Sequence, residues 1–313
     1  MKLRTKTIHD KKYYYLDLGY RTLAKSKTFS KYVGTKKPAK GGLAKIGESF
    51  RREIILKLAG KEYAAELISK DSVIKALLIR DAFNRKFAAL SAVRRRKYEV
   101  DSTILFTLST LTTEEVDVGL EDVRNAFKKE GGFSARERIS KNMLNAVESI
   151  KEKHALDRQY ILGLHKTIMA GFEGKTPGKI REGQVYLQAR DVQNPKGREI
   201  GYRPPHHGEV GGLLDGFVEW YNSTPLNPVE KAAQAHYRLY KIHPFLDGNK
   251  RVCRLILNKA LIDEGFPLLN ISAKKEQYFR ALMDSVEKNT LKHLAEFTLE
   301  EYMRQAKEFL KGK

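Results

Sequence analysis

The chain has 313 residues, 59 Lys and Arg against 38 Asp and Glu, a formal charge of +21 and a single cysteine, Cys253. One cysteine excludes a disulfide framework, and no apolar run reaches the ~18 residues that a membrane-spanning helix needs. The length allows one large domain or two to three ordinary ones. Met1–Tyr20 is polar and charged rather than leader-like, so a soluble, cytoplasmic protein without a membrane partner is expected.

The charge is uneven: residues 1–60 hold 16 Lys/Arg against 4 Asp/Glu. Within them Tyr13–Arg21 and Lys31–Gly34 read as two strands of a basic β-hairpin. Lys36–Lys40 with Gly41-Gly42 reads as a linker. From Ile46 to Phe87 apolar residues recur at helical spacing, followed by the basic run Arg94-Arg95-Arg96-Lys97. A cationic arm with interleaved aromatics makes nucleic acid a candidate partner, although zinc spacing, helix-turn-helix and RNA-recognition signatures are missing. The same charge would also raise solubility or steer an acidic protein. Further along, His165 falls on a helical stretch as a packing residue, and His206-His207 reads as surface loop rather than metal ligands.

The most informative segment is His243-Pro244-Phe245-Leu246-Asp247-Gly248-Asn249-Lys250-Arg251-Val252-Cys253-Arg254. Pro228 to Ile242 has helical periodicity with Pro at the first position, and Pro244 disfavours helical geometry at His243. Val252, Leu255, Ile256, Lys259 and Ala260 resume that spacing until Gly265-Phe266-Pro267. The segment therefore leads from one helix end into the next helix start, where free amides and the dipole favour an anion. Gly248 suits the left-handed turn of an anion nest and Asn249 suits a helix cap. Asp247 is a hard oxygen ligand for Mg²⁺. Arg251 and Arg254 share a helix face and suit phosphate, while His243 would titrate near neutrality as a general base. Phe245 is the expected apolar anchor, and Cys253 reads as packing. This equipment suits phosphoryl or nucleotidyl transfer, where positioning and charge neutralisation do most of the work.

The same segment resembles the Fic/Doc family signature, His-x-Phe-x-(Asp/Glu)-Gly-Asn-(Gly/Lys)-Arg-x-x-Arg, with likeness over about residues 140–300. Thr176-Pro177-Gly178-Lys179-Ile180-Arg181 resembles the family's segment opening a β-hairpin flap. The implied fold is mainly α: a Fic/Doc-type helical bundle with a small β-hairpin flap, plus N-terminal helices and a basic N-terminal β-hairpin module. The expected organisation is that module over 1–42, a helical region over 43–139, the core with flap and signature over 140–265, and completing helices over 266–313.

The resemblance further implies AMP transfer from ATP-Mg²⁺ to a Ser, Thr or Tyr hydroxyl of a target protein. His243 would take the hydroxyl proton and Asp247 would bind Mg²⁺. Gly248, Asn249, Lys250, Arg251 and Arg254 would hold the phosphates. The flap residues Arg181, Glu182, Gly183, Gln184, Val185, Tyr186 and Leu187 would align the target by strand addition. Tyr278 matches a position that packs on adenine, although it also fits as an aromatic on an amphipathic helix. Lys250 stands where AMP-transferring members most often have Gly. It also occurs in Doc-like kinases that transfer the γ-phosphate, which keeps that alternative beside a non-catalytic nucleotide-sensing or nucleic-acid-binding regulator. The family's self-inhibitory pattern, (Ser/Thr)-x-x-x-Glu-(Gly/Asn), is not fully met: Thr110 to Glu114 fits but is followed by Glu115. The expectation is that self-inhibition is absent or altered, and an Arg254-facing glutamate would overturn it.

Overall fold

Strand and helix residues follow the apolar periods of the sequence, and the two longest buried stretches converge on the signature. The computed structural model describes residues 1–21, 26–190, 199–271 and 274–312. Among these, three strands β1 (Lys2–Ile8), β2 (Lys11–Arg21) and β3 (Ser26–Gly34) form an antiparallel sheet in the order β1-β2-β3. Leu16 and Leu18 are buried on its inner face and join the apolar cluster that includes Phe50 and Ile54. The sequence pointed to two of these strands. β1 lacks the aromatic enrichment of β2, and its turn is His9-Asp10, with φ values of 43° and 61°, rather than a glycine-marked pair. Polar His and Asp tolerate the left-handed region, so the hairpin closes without the usual signal.

Helices α1 (Lys40–Lys61), α2 (Lys70–Ala89), α3 (Ala92–Thr112), α4 (Leu120–Lys128), α5 (Ala135–Lys151) and α6 (Arg158–Ile168) follow. The expected linker at Gly41-Gly42 is instead the first turn of α1, where the glycines leave few apolar contacts to mark it. The helical pattern of 46–87 is broken between α1 and α2, and buried carboxylate chemistry organises the break. Glu230, fully buried, accepts the amides of Glu66 (3.0 Å) and Ile68 (3.0 Å).

A two-stranded hairpin pairs β4 (Leu187–Arg190) with β5 (Glu199–Tyr202), and α7 (Val210–Ser223) leads into the central pair. That pair is α8 (Pro228–Ile242) and α9 (Asn249–Asp263), and the limits of α8 match those expected from periodicity. Asn227 caps α8 by accepting the Glu230 amide at 3.1 Å. Ala232, Ala233 and Ala235 are fully buried on α8, and α9, on which Val252, Leu255 and Ile256 are fully buried, packs against it. Gly265, at φ 76°, ends the α9 segment as expected. Helices α10 (Lys275–Glu287) and α11 (Lys292–Lys311) complete the eleven α-helices of the described residues. One apolar cluster runs from Leu16 to Ala306, so the N-terminal sheet and the helices share a core.

Arg80 joins the parts. It is 4% exposed and donates to the Glu264 carbonyl at 2.8 Å and to the Tyr20 hydroxyl at 3.1 Å. The end of α9 and the last residues of β2 are thereby tied to α2. Among the described residues no helix is long and apolar enough to cross a membrane.

Glu230→Ala would leave the buried Ile68 amide and the part-buried Glu66 amide of the α1–α2 connection without their carboxylate partner. Chemical denaturation should show a loss of about 3 kcal/mol with an unchanged m value; a loss under about 0.5 kcal/mol would refute that role.

Candidate functional site

The signature folds as a loop sewn by its own side chains. His243 terminates α8 in the left-handed region, φ 48° and ψ 61°, a conformation costing a non-glycine residue roughly 1–2 kcal/mol. Two bonds hold it there: its amide donates to the Leu239 carbonyl at 3.0 Å, and its carbonyl accepts from Arg181 Nε at 2.8 Å. Phe245 is fully buried and stacks on His165 at 3.7 Å between ring centres. Asn249 does not cap the helix as expected. The cap residue is Gly248, at φ 76°, while the Asn249 side chain turns back to accept the Phe245 amide at 3.0 Å and donate to its carbonyl at 2.8 Å. A two-ended amide is the side chain that can close such a loop on itself. A side chain at Gly248 would meet Met169 Sδ at 3.1 Å and Ile168 at 3.3 Å, so glycine is required for space as well as for backbone.

The chemistry-bearing groups converge around that loop. Asp247 is half-exposed; its Oδ1 accepts the Gly248 amide at 2.6 Å, and Oδ2 lies 3.5 Å from Lys175 Nζ. A single carboxylate with an accessible oxygen fits Mg²⁺ that draws its other ligands from phosphates and water. It does not fit a metal held by protein alone, and no cluster of three or more His, Cys, Asp or Glu exists among the described residues. His243 is 7% exposed, and burial pushes its imidazole down to about 4, with the nearby Arg181 and Lys250 charges acting the same way. It therefore does not titrate near neutrality as expected; it is neutral there, with an available lone pair. Lys250 lies half-buried with its ammonium 5.5 Å from the Phe279 ring centre. Cys253 is buried, and burial pushes its thiol well above the usual range, so it packs.

Arg251 and Arg254 project from α9 toward the segment after α3. Arg254 is fully buried and donates from Nη2 to the Thr110 carbonyl at 2.9 Å and to Glu114 Oε1 at 2.5 Å. Glu114 Oε2 also stands 3.3 Å from Arg251 Nε. Nε and Nη1 of Arg254 have no hydrogen-bond partner among the described residues. A glutamate therefore faces the second arginine, which overturns the expectation that such a contact is missing. Thr110 to Glu114 is the segment concerned. The sequence hid it because Glu115 replaces the Gly or Asn of the family pattern. Glu115 nevertheless adopts φ 60°, the conformation those residues supply most easily. The geometry of the pattern persists with a strained residue in its last place.

The flap residues divide. Arg181 is 2% exposed and turned inward, donating to the carbonyls of His243, Gly183 (2.8 Å) and Pro205 (2.5 Å), so its side chain builds the site rather than meeting a target. Glu182, Gly183, Gln184 and Tyr186 are exposed, and Val185 and Leu187 are half-buried. Of the seven, only Leu187 lies in β4; the segment before it is irregular, and residues 191–198 lie outside the described region. Tyr278 has no exposed surface, and its hydroxyl lies 2.7 Å from His236 Nε2. An adenine could reach its ring only after neighbours move, so the amphipathic-helix alternative describes its present position.

His165 is the residue that sequence reasoning placed in the bundle without further work. It is indeed buried, but its Nδ1 accepts the Gly178 amide at 2.9 Å while Nε2 reaches the Asp247 carbonyl at 3.1 Å. Burial pushes it down to about 4, which keeps Nδ1 able to accept. One ring thus joins the segment opening the flap to the signature loop. Nothing local in the sequence signals this, because its partners are backbone groups.

A helix–loop–helix thus holds a strained histidine, a half-exposed carboxylate and paired buried arginines beside a small hairpin. A profile of the Fic/DOC family matches residues 155–261. Over those residues the chain is similar to the Fic/DOC family. It is 34% identical over 138 residues to the protein adenylyltransferase Fic of Drosophila erecta and 33% identical over 138 residues to that of Drosophila willistoni, spanning 43% of this chain in each case. The alignments cover only 26% and 25% of those relatives' own lengths. Solved structures share the fold. A Fic domain containing signaling protein from Bacteroides thetaiotaomicron superposes with a TM-score of 0.65 at 20% identity, covering 76% of this chain and 97% of that one. Fic-1 from C. elegans gives 0.61 at 19% identity, covering 86% and 84%.

Glu115→Gly should relieve the left-handed strain and raise stability by about 0.5–1 kcal/mol after the entropy cost of glycine, whereas Glu115→Val should cost more than about 1 kcal/mol. Thermal or denaturant unfolding of the two variants checks this, and equal effects would contradict the strain.

Proposed function

We propose that this chain transfers AMP from ATP-Mg²⁺ to a hydroxyl side chain of a protein. The observation that carries the proposal is the strained, neutral His243 beside Asp247 at the entry to an arginine-bearing helix start. The acceptor oxygen attacks the α-phosphorus, His243 takes its proton, and the bond from the α-phosphorus to the bridging oxygen breaks as pyrophosphate leaves. Mg²⁺, when bound, would supply charge neutralisation on the phosphates, with Asp247 as its protein ligand. The first turn of α9 at Gly248, Asn249 and Lys250 offers amides to phosphate oxygens, and Arg251 and Arg254 offer guanidinium groups. The exposed residues before β4 and β4 itself would align the acceptor segment by main-chain pairing.

Lys250 keeps the Doc-like alternative, γ-phosphate transfer, within the same site. Label from ATP carried separately at the α- and γ-phosphates decides: retention on protein from the α position supports AMP transfer, and retention from γ alone replaces it with kinase chemistry. His243→Ala should abolish either transfer while ATP still binds. Arg254→Ala should weaken ATP far more than AMP, and equal weakening would argue against a terminal-phosphate role.

Glu114 occupies the two arginines that the outgoing phosphates would need. Glu114→Gly should therefore raise transfer about tenfold or more. The same glutamate favours a second activity, hydrolytic removal of AMP with Glu114 positioning the water. The Glu114→Gly protein should lose that hydrolysis while it gains transfer.

The pH dependence follows from the depressed imidazole. A base with a folded value near 4 stays competent across neutrality and loses competence only as pH falls through about 4. The acid limb of kcat/KM should lie below pH 5, and a limb near 6.5 would show a base unlike the buried His243.

A further inference from the structure

The β1–β3 sheet has two different faces. Leu16 and Leu18 turn to the core, and Lys31 of β3 reaches the same side, toward the Phe50 ring and Glu53. The opposite face packs on no other element by ring contact or ion pair among the described residues. It carries Tyr13 and Tyr15 of β2 and Tyr32 of β3, because alternate residues of a strand share a face. Tyr15 and Tyr32 pair in register, and their ring centres are 5.5 Å apart; Tyr13 and Tyr32 are 6.2 Å apart. Arg4 of β1, paired with Tyr15, lays its guanidinium 4.9 Å from that ring and is held by Asp17. Lys6 stands opposite Tyr13. Lys11 opens β2 on the same face, and Lys36 and Lys37 follow Gly34, the partner of Tyr14. None of these four lysines has a carboxylate partner among the described residues.

We propose that this outer face is a stacking platform for a short single strand of nucleic acid, with Tyr13, Tyr15 and Tyr32 meeting bases and the surrounding lysines meeting phosphates. Three tyrosine rings clustered on an open sheet face match the flat π-faces of unpaired bases, which a duplex keeps stacked inside. The uncompensated cations lie at the Tyr13 end of the cluster, as a backbone passing over the rings requires. An acidic protein surface would satisfy the lysines but give the rings no flat partner. Tyr32 is 50% exposed, so it can be changed without opening the core. The surface is remote in sequence from the signature, and the proposal does not depend on AMP transfer.

The test is fluorescence anisotropy of the full chain with labelled oligomers of about 12 nucleotides, as single-stranded RNA, single-stranded DNA and duplex, across a salt series. Single strands should bind more tightly than the duplex, and preference between RNA and DNA would name the sugar. Tyr32→Ala should weaken binding about fivefold or more, with Tyr32→Trp retaining it. The Lys6→Gln, Lys36→Gln double variant should flatten the salt slope by about 1–2. Failure of both single strands to bind at about 0.05 M salt would overturn the proposal. Equal binding of duplex and single strand, indifferent to Tyr32→Ala, would also overturn it and point to a charge-only surface suited to acidic protein.

Discussion

A fully buried guanidinium cannot stand alone, and that constraint organises the centre of this molecule. Arg254 sits deep in α9 with no exposed surface, where an unpaired charge would cost several kcal/mol. The Thr110 carbonyl and Glu114 supply its partners from a segment 140 residues earlier in the chain. The end of α3 is therefore placed over the start of α9, and Arg251 shares the same carboxylate. Two nitrogens of Arg254 remain unmatched, so the pairing is incomplete. A buried cation with spare donors beside a helix N-terminus is electrostatically prepared for an anion of more than one oxygen.

Around that centre, polar side chains position backbone rather than each other. Asn249 closes the loop, Arg181 holds the strained His243 by its carbonyl, and His165 joins Gly178 to Asp247. Glu230 does similar work outside the site by gathering the amides between α1 and α2. These bonds fix the site's shape with groups that need not enter its chemistry. They also explain why Arg181 turns inward although its neighbours face solvent.

The helices flanking the signature were legible because Pro228, Pro244 and the Gly265 break mark them and their apolar period is strong. The loop's position between the two helices was legible too, and its histidine, carboxylate and two arginines stood out as candidates by their coincidence within twelve residues. What escaped was of two kinds. Asn249, Arg181 and His165 work through backbone partners, and no sequence pattern encodes a contact to a carbonyl. Glu114 and the first strand were hidden because unusual residues take left-handed conformations: Glu115 after α3, and His9-Asp10 at the first turn. A sequence rule that requires glycine or asparagine there passes over them, whereas the backbone accommodates the substitution at a modest cost.

Glu114 itself lies beyond α3, past the capping Thr113. Its backbone is secured by three short turn bonds: Glu114 to Leu111 at 3.0 Å, Glu115 to Thr112 at 3.1 Å, and Val116 to Leu111 at 3.2 Å. The carboxylate is therefore carried by a hydrogen-bonded turn rather than by the helix itself. Its reach to α9 is set by those three backbone bonds and by the left-handed Glu115, not by the length of α3.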